Sequence, residues 1–335
     1  MTYSDRERLK RLANTFSLNF RLTRLYAAYL ESFPRIITKD MIEELCADGD
    51  ITKEDAIVAL LSEIFRLDDA RGGDERRLIR DYIRPSVRIL ESERYLNNKY
   101  YKNINIPNAK DGDWELKTES YAPYRGVICH DMIIGSDYSE FAPLGFFTEE
   151  FHFPAVLEGG NEWMTLTPVD LDTCDEAIEA AHGKVVTFGL GLGYYAYMVS
   201  EKESVSSITV VEKSENVIRL FEKYIFPQFS HPEKVRIIRA DAFEYAEKVM
   251  PSEEYDYAFV DTWRDASDGA PMYERMKRLE KFSPKTTFAY WIENFLISRI
   301  RALRFGELMD KIEENAPDAP QSYDEFIERL TEEIS

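Results

Sequence analysis

The segment that decides the fold is Thr187-Phe-Gly189-Leu-Gly191-Leu-Gly193-Tyr-Tyr-Ala196. It follows an apolar run, residues 184–188, that predicts a β-strand, and it leads into a run that predicts a helix from residue 194. Glycines at alternate positions allow a sharp turn and bring backbone N–H groups close to a ligand at the helix N-terminus. The glycine spacing alone is a weak signal, but its place between a strand and a helix predicts a ligand-binding turn.

Four further apolar runs follow the glycine segment and alternate with amphipathic stretches. The runs predict strands and the stretches predict helices: strands 207–211, 235–239, 255–260 and 286–291, and helices 194–201, 214–226, 242–250 and 271–281. Alternation of strands and helices is typical of a parallel sheet with helices on both faces. The sequence therefore predicts an α/β fold with a doubly wound, mostly parallel sheet.

Carboxylates stand at the ends of three successive predicted strands. Glu212 ends the second strand, Asp241 the third and Asp261 the fourth. Because the carboxyl ends of parallel strands meet at one edge of the sheet, we expect these side chains near a common ligand. Glu212 could accept hydrogen bonds from two ribose hydroxyls, and Asp241 could accept one from an adenine amino group. Each acid could instead cap the helix that follows it.

The order GLGLG, VVEKS, RADA and YDYAFVD, within about residues 180–312, resembles the class I S-adenosylmethionine (SAM)-dependent methyltransferases. This resemblance implies a Rossmann-like domain that binds SAM. It implies that the three glycines hold the methionine part of SAM, that Glu212 holds the ribose and that Asp241 faces the adenine. The segment from Thr165 to Thr173 resembles the stretch that covers SAM in several of these enzymes.

The resemblance also implies a set of cofactor-binding residues. They are the three loop glycines, two strand-end acids and two neighbouring residues: Gly189, Gly191, Gly193, Glu212, Asp241, Ala242 and Thr165. One departure from the family pattern lies in the strand before the loop. Thr187 occupies the position, two residues before the first glycine, where the family often has an acid, although the polyamine synthases of the same fold also lack it.

The segment Asp261-Thr-Trp263-Arg-Asp265 supplies the candidate catalytic residues. Asp261 and Asp265 could orient or deprotonate the methyl acceptor, which needs a base when the nucleophile is a protonated hydroxyl or amine. Trp263 could form a wall of the acceptor pocket, or it could pack under a loop. Methyl transfer otherwise needs mainly an in-line approach of the acceptor to the sulfonium methyl group, so positioning supplies much of the rate.

The same segment is similar to the acid-x-Trp-Lys-Asp stretch of catechol-type O-methyltransferases, in which the first acid binds magnesium. A hard cation bound by Asp261, Glu293 and Asn294 would be chemically reasonable. However, Arg264 stands where that family has a basic lysine, and a guanidinium stays protonated. We therefore expect no bound metal.

The chain outside the predicted sheet divides into further segments. Residues 1–100 predict a helical N-terminal domain, and residues 101–165 predict a connector with a β-hairpin around Gly159-Gly160. Residues 166–312 form the expected SAM-binding domain, and residues 313–335 a C-terminal helical tail. The two C-terminal strands usual in the family are therefore either absent or supplied by the connector.

Charge and cysteine content restrict the expected partners. The chain has 42 Lys and Arg against 62 Asp and Glu, a formal net charge of −20, which repels nucleic acid and fits a small-molecule substrate better. The cysteines, Cys46, Cys129 and Cys174, form no CxxC pair, which suits a reducing cytoplasm. No apolar stretch is long enough to predict a membrane span. We expect a cytoplasmic protein, with a homodimer through the helical N-terminal domain as one option.

The sequence thus predicts a SAM-dependent methyltransferase that acts on an oxygen or nitrogen of a small molecule near Asp261. Three alternatives stay open. An aminopropyl transferase, or polyamine synthase, would use decarboxylated SAM, although its Asp-x-x-Asp motif is stretched to Asp261 and Asp265. A nicotinamide-dependent oxidoreductase would share the glycine loop and Glu212 but would not need Asp241. A non-catalytic SAM-binding or interaction protein is the third.

Overall fold

The computed structural model describes residues 1–332, and these residues form two compact units. Unit 1 contains Met1–Leu90, Pro123–Thr148 and the residues from Asn294 onward, and unit 2 contains Glu91–Ala122 and Glu149–Glu293. Each unit is assembled from separate segments of the chain, whereas the segments expected from the sequence are continuous. Those expected boundaries therefore stay a prediction. The end of the predicted C-terminal tail, residues 333–335, lies outside the described residues.

Unit 2 is organised around a five-stranded parallel sheet. Its strands in chain order are β1 (Gly183–Phe188), β2 (Val205–Glu212), β3 (Val235–Arg239), β4 (Tyr257–Val260) and β5 (Thr287–Tyr290). They lie in the order β3-β2-β1-β4-β5, and every pairing is parallel. The chain moves outward from β1 to β3 and then crosses to the other side of β1, as in a Rossmann-like doubly wound sheet. The predicted α/β fold class is confirmed.

The apolar runs that predicted strands become the interior of this sheet. All four residues of β4 are buried, and so are the last four residues of β1. Continuous burial of this kind is expected of central parallel strands, which are covered on both faces. The edge strand β3 alternates between exposed and partly buried residues instead.

A helix follows each of the first four strands. These helices are α1 (Tyr194–Ser200), α2 (Glu215–Leu220), α3 (Ala242–Lys248) and α4 (Ala266–Leu279). The helices α2, α3 and α4 are each capped by the side chain of the residue before them, which accepts hydrogen bonds from N–H groups of the first turn. The shorter helices of unit 2 are Ser92–Leu96, Lys99–Asn103, Pro168–Asp172, Asp175–Ala180 and Met250–Glu253.

A separate antiparallel sheet precedes the parallel sheet along the chain. Its strands, in spatial order, are Ala109–Asp111, Trp114–Tyr121, Phe151–Glu158 and Asn161–Thr165. The last two strands form the hairpin predicted around Gly159-Gly160, where φ is 58° and 84° as a tight hairpin turn requires. In the described part of the chain these strands do not join the parallel sheet, so the connector does not supply the two strands usual in the family.

Unit 1 is mainly helical. Its helices are Tyr3–Ser32, Lys39–Leu45, Lys53–Ile64, Gly73–Arg77, Arg84–Ser86, Tyr323–Thr331 and, apart from its first residue, Glu293–Glu313. Small sheets accompany them, formed by Val87–Leu90, Val127–Ile128 and Leu144–Phe147, and by Ile133–Ile134 with Glu140–Phe141. Residues 127–134, which belong to the expected connector, thus contain two short strands in different sheets.

Apolar side chains from distant segments form the core of unit 1. Leu9, Leu12 and Phe16 of the long first helix pack with residues of the last two helices, which include Leu308 and Phe326. A second cluster joins the middle of the first helix to residues 37–87 and 124–146. None of the helices within residues 1–332 combines the length and the apolarity that crossing a membrane requires.

Candidate ligand-binding site

The loop between β1 and α1 holds glycines in backbone conformations that other residues rarely adopt. The φ angles of Gly189, Gly191 and Gly193 are 100°, 49° and 75°. A Cβ atom added at Gly189 would lie 1.9 Å from the backbone oxygen of Asp261. The loops that follow β1 and β4 are therefore in contact, and a side chain at position 189 would push them apart.

A second close approach brings a methionine onto the same loop. Met164 lies in the strand Asn161–Thr165, and a Cβ atom added at Gly191 would be 1.8 Å from its Sδ atom. The same sulfur accepts a hydrogen bond of 3.2 Å from the backbone N–H of Leu192. The thioether therefore occupies the space beside Gly191 where the family resemblance places the methionine part of SAM.

A cavity lies between the glycine loop and residues 164–174. Its wall is apolar, aromatic and acidic, and consists of Met164, Leu166, Asp170, Cys174, Thr187, Gly189, Leu190, Tyr194, Tyr195, Ala196, Phe259, Asp261 and Trp291. Among the described residues, no lysine, arginine or histidine belongs to this wall. The free volume of about 20 Å³ is room for one water molecule, so a larger ligand requires side chains such as Met164 to move.

Two carboxyl groups in the cavity wall have raised pKa values. Burial raises the pKa of Asp261 to about 8, and the charges of Asp170 and Glu212 add to that effect. Burial also raises the pKa of Asp170 to about 6, although hydrogen bonds from Thr167 and Thr165 oppose the rise. The wall therefore brings two acids together without a basic side chain to balance their charge, and their burial favours the protonated form of Asp261 at neutral pH.

Asp170 is held in a fixed orientation by a capping box. The backbone N–H and the hydroxyl of Thr167 each donate a hydrogen bond of 2.8 Å to Oδ2 of Asp170. The hydroxyl of Thr165, one of the predicted cofactor-binding residues, also donates to this carboxyl group. Thr165 is thus connected to the cavity through Asp170 and does not itself line the cavity.

Glu212 joins the loops that follow β1 and β2. Its Oε2 accepts a hydrogen bond of 3.1 Å from the N–H of Leu190, and its Oε1 accepts one of 2.7 Å from the N–H of Ser214. The carboxylate therefore lies beside the glycine loop at the carboxyl end of the sheet, although it is not part of the cavity wall. Its role toward a ribose stays a prediction.

Asp241 caps α3 in this structure. Its Oδ1 accepts hydrogen bonds from the N–H groups of Phe243 (3.0 Å) and Glu244 (3.2 Å), and its Oδ2 lies 3.5 Å from Nζ of Lys213. Ala242 is the first residue of the helix. The contacts of Asp241 thus match the alternative in which it caps the helix. The roles of Asp241 and Ala242 toward an adenine stay predictions.

The other two candidate catalytic residues do not line the cavity. Asp265 caps α4, and its pKa is lowered mainly by a hydrogen bond from the hydroxyl of Ser267. Trp263 is buried and stacks on Tyr290, with ring centroids 6.4 Å apart. Within residues 1–332, its indole N–H has no hydrogen-bond partner. These contacts match the capping and packing roles, and the catalytic roles stay predictions.

Glu293 and Asn294, which were considered as metal ligands, form hydrogen bonds with other residues of the protein. The hydroxyl of Tyr273 donates a hydrogen bond of 2.7 Å to Glu293, and the side-chain amide of Asn294 donates one of 3.0 Å to the backbone oxygen of Met132. Over the part of the chain that the structure describes, no group of three His, Cys, Asp or Glu side chains is arranged to hold a metal ion.

Comparison with solved structures finds similar chains at low sequence identity. A spermidine synthase in complex with the transition-state analogue AdoDATO and the spermidine synthase from Thermotoga maritima are each 17% identical, with a TM-score of 0.33. The precorrin 8W decarboxylase of Methanobacterium thermoautotrophicum is 17% identical, with a TM-score of 0.29. The matches cover 45% of this chain and 55% of each spermidine synthase, and 36% of this chain and 62% of the decarboxylase. The chain thus spans a little over half the length of these proteins.

No protein-family model matches the chain, and no curated protein sequence matches it.

Several residues around the glycine loop belong to no motif that was identified in the sequence. Tyr100 donates a hydrogen bond to the backbone oxygen of Leu192, and Tyr101 donates one of 2.6 Å to the backbone oxygen of Leu166. The helix Lys99–Asn103, at the expected boundary between the first two segments, is therefore hydrogen-bonded to the glycine loop and to Leu166 of the cavity wall. For Asp170, the pattern Thr167-Pro-x-Asp170 was a readable helix-start signal. That signal predicts a helix, and the indication of a site comes only from the resemblance of residues 165–173 to the stretch that covers SAM.

Proposed function

We propose that unit 2 binds SAM and transfers its methyl group to a small molecule. The observation that carries the proposal is the cavity beside the glycine loop, where Asp170 and Asp261 face a wall without basic side chains. SAM carries a positive sulfonium, and such a site attracts a cation in a medium of low polarity. A nicotinamide dinucleotide carries an anionic pyrophosphate, which the charge of Asp170 would repel.

The predicted residues fit this ligand in the following way. The N–H groups of the glycine loop bind the methionine part of SAM, Glu212 binds the ribose, and Asp241 with Ala242 face the adenine. Glu212 already accepts a hydrogen bond from the loop that follows β1, so it lies within reach of a ligand on that loop. For SAM to bind at the glycine loop, the side chain of Met164 has to leave the space beside Gly191.

Asp261 is the proposed proton acceptor. When bound, SAM supplies a methyl group whose transfer to the acceptor breaks the S–CH₃ bond and leaves the electron pair on sulfur. Because burial raises its pKa to about 8, the Asp261 carboxyl is largely protonated at neutral pH. A positive charge nearby lowers that pKa and produces the carboxylate, which can then take the proton that the acceptor loses.

A binding panel tests the proposal. We expect SAM to raise the melting temperature of the protein, because a ligand that binds the native state stabilises it by mass action. NAD at the same concentration should not raise it. Stabilisation by NAD, or the failure of SAM to bind as measured by calorimetry, would contradict the proposal.

The acidic wall also favours a second candidate, aminopropyl transfer from decarboxylated SAM. That ligand lacks the carboxylate of SAM, so Asp170 and Asp261 would not repel any part of it. Decarboxylated SAM should then bind more tightly than SAM, and a polyamine should serve as the acceptor. Tighter binding of SAM, together with methylated product, favours the first candidate.

A further inference from the structure

A groove in unit 1 gathers basic side chains in a chain that is otherwise strongly acidic. The first helix, Tyr3–Ser32, and the loop Ser136–Tyr138 contribute to its wall, and its volume is about 820 Å³. The basic residues of the wall are Arg8, Lys10, Arg11 and Arg77, and its acids are Glu7 and Asp137. The whole chain has 42 basic and 62 acidic residues, so the groove reverses that ratio.

Most of these basic side chains have no direct ion-pair partner. Arg8 forms an ion pair of 3.0 Å with Asp324. Within residues 1–332, no carboxylate lies at ion-pair distance from Lys10, Arg11 or Arg77. Positive side chains that are gathered in a cleft without such partners attract an anion.

The wall of the groove also contains a buried hydroxyl group. Thr15 follows Arg11 by four residues, so the two share a face of the first helix. Thr15 is 6% exposed and lines the groove, yet over the described part of the chain no hydrogen bond involves its side chain. Buried polar groups in proteins are as a rule hydrogen-bonded, so this hydroxyl is available to an oxygen atom of a ligand.

The loop Ser136–Tyr138 is fixed to the same helix by a buried amide. The side chain of Asn19 donates a hydrogen bond of 2.7 Å to the backbone oxygen of Tyr138 and accepts one of 3.1 Å from the N–H of Glu140. Tyr138 has a φ angle of 64°, which is costly for a bulky residue, and these bonds hold it in that conformation. The wall is therefore ordered before any ligand binds, which reduces the entropy that binding loses.

We infer that this groove binds a small molecule that carries phosphate groups. A phosphate group carries a charge of about −1.5 to −2 at neutral pH and three acceptor oxygens. Arginine guanidinium groups match such oxygens with pairs of parallel hydrogen bonds, and Arg11 and Arg77 supply two of them. Lys10 adds a third positive charge, and the hydroxyl of Thr15 adds a neutral donor.

The acids of the wall favour a phosphate over a single carboxylate. The pKa of Asp137 is lowered mainly by a hydrogen bond from the hydroxyl of Ser139, and the charge of Arg77 adds to that effect. Asp137 is therefore ionised and, with Glu7, repels an anion. A ligand needs the higher charge of a phosphate to overcome this repulsion.

A small molecule fits the groove better than a nucleic acid does. Small-molecule sites in proteins usually have volumes of about 300–1,000 Å³, and this groove is within that range. The excess of acids in the rest of the chain would repel the part of a polymer that extends beyond the groove. The inference concerns unit 1 and does not require unit 2 to bind SAM.

Calorimetry on the full chain, with pyrophosphate as the probe, tests the inference. We expect the wild type to bind pyrophosphate, and Arg11→Gln and Arg77→Gln each to lower the affinity by about tenfold or more, the scale of a lost charge-assisted hydrogen bond. Arg24→Gln is the matched control, because Arg24 is exposed on the same helix and outside the wall of the groove. It should change the affinity by less than about twofold, well below that scale.

Thr15→Val separates ligand binding from a structural role of the hydroxyl. Valine keeps the branched shape of threonine but has no hydroxyl. The affinity for pyrophosphate should fall by about threefold to tenfold, the scale of one neutral hydrogen bond. The midpoint of urea unfolding should not fall, because no hydrogen bond within the protein is lost.

Four results would overturn the inference. Pyrophosphate that does not bind the wild type shows that the groove is not a phosphate site, and an equal loss of affinity in Arg24→Gln and Arg11→Gln shows only a general attraction to positive charge. Citrate that binds as tightly as pyrophosphate overturns the assignment to phosphate. A single-stranded oligonucleotide that binds more tightly than pyrophosphate overturns the assignment to a small molecule.

Discussion

Asp261 shows how the pKa of one buried carboxyl makes stability depend on pH. Its folded pKa of about 8 is above the ordinary value of 3.8. Between these values the folded protein keeps a proton that the unfolded chain releases. The contribution of Asp261 therefore makes the free energy of unfolding fall as pH rises, and the fall ends above about pH 8.

We expect Asp261→Asn to remove this contribution. Urea unfolding at several pH values should show the variant gaining stability relative to the wild type between about pH 5 and pH 8.5, the range of that titration. Asp50→Asn, at an exposed position, serves as the control and should show no such trend. A stability difference between Asp261→Asn and the wild type that is independent of pH would contradict the raised pKa.

The two strand-end acids should separate binding from turnover. Glu212→Ala should lower the affinity for SAM by about tenfold or more, because it loses charged hydrogen bonds to the ligand. Asp261→Asn should abolish methyl transfer but leave the affinity at pH 7 within several-fold, because burial keeps Asp261 largely protonated before SAM binds. Calorimetry and a labelled-methyl assay measure the two effects. Normal SAM binding by Glu212→Ala would show that the ribose is placed wrongly.

At the scale of one element, the hairpin that carries Met164 places its thioether against the glycine loop. Met164→Ala should increase the affinity for SAM several-fold, since less of the protein is then in a form that excludes the ligand. Met164→Leu keeps the bulk of the side chain and is the matched control. Calorimetry on both variants measures the effect, and equal affinities for Met164→Ala and wild type would show that the thioether does not compete with the ligand.

The helix Lys99–Asn103 should contribute to the stability of the loop. Tyr100→Phe removes the hydroxyl that donates to the backbone oxygen of Leu192. We expect the free energy of unfolding to fall by about 1–2 kcal/mol. Tyr3→Phe, at a side chain that is 82% exposed, should have no effect in the same urea experiment.

The parallel sheet could be predicted from the sequence because its information is local. Each strand was read from an apolar run, and the ends of the first four strands carry a glycine or an acid. Tyr100 could not be predicted as a site residue, because it reaches the glycine loop through a contact over a long sequence distance. For Asp170, only the resemblance of residues 165–173 to the stretch that covers SAM pointed to the site. Asp241 and Asp265 show a different difficulty, since an acid before a helix has the same sequence pattern whether it caps the helix or binds a ligand.

At the scale of the whole molecule, the helix Tyr323–Thr331 should be essential for the stability of unit 1. Phe326 is fully buried and packs in the cluster that includes Leu9 and Phe16. Phe326→Ala should lower the free energy of unfolding of unit 1 by about 3–5 kcal/mol. Leu303→Ala, at a side chain that is 54% exposed, should change it by less than about 0.5 kcal/mol.

Hydrogen exchange of the helix Tyr3–Ser32 measures this effect directly. Phe326→Ala should speed the exchange of the backbone amides of this helix, and Leu303→Ala should not. Unchanged protection of the helix in Phe326→Ala would show that the cluster contributes little. The sequence predicted these helices as separate N-terminal and C-terminal segments, because amphipathic periodicity shows that a face is buried but not which distant segment covers it.

The assembly of unit 1 from three segments has a consequence for synthesis of the protein. The first helix leaves the ribosome early, but the helices that cover Leu9, Leu12 and Phe16 are translated only after all of unit 2. In the nascent chain the apolar face of the first helix therefore stays uncovered, while the parallel sheet can already form. Such a delay exposes a surface that chaperones bind and that can aggregate, so the yield of soluble protein should depend on the rate of translation.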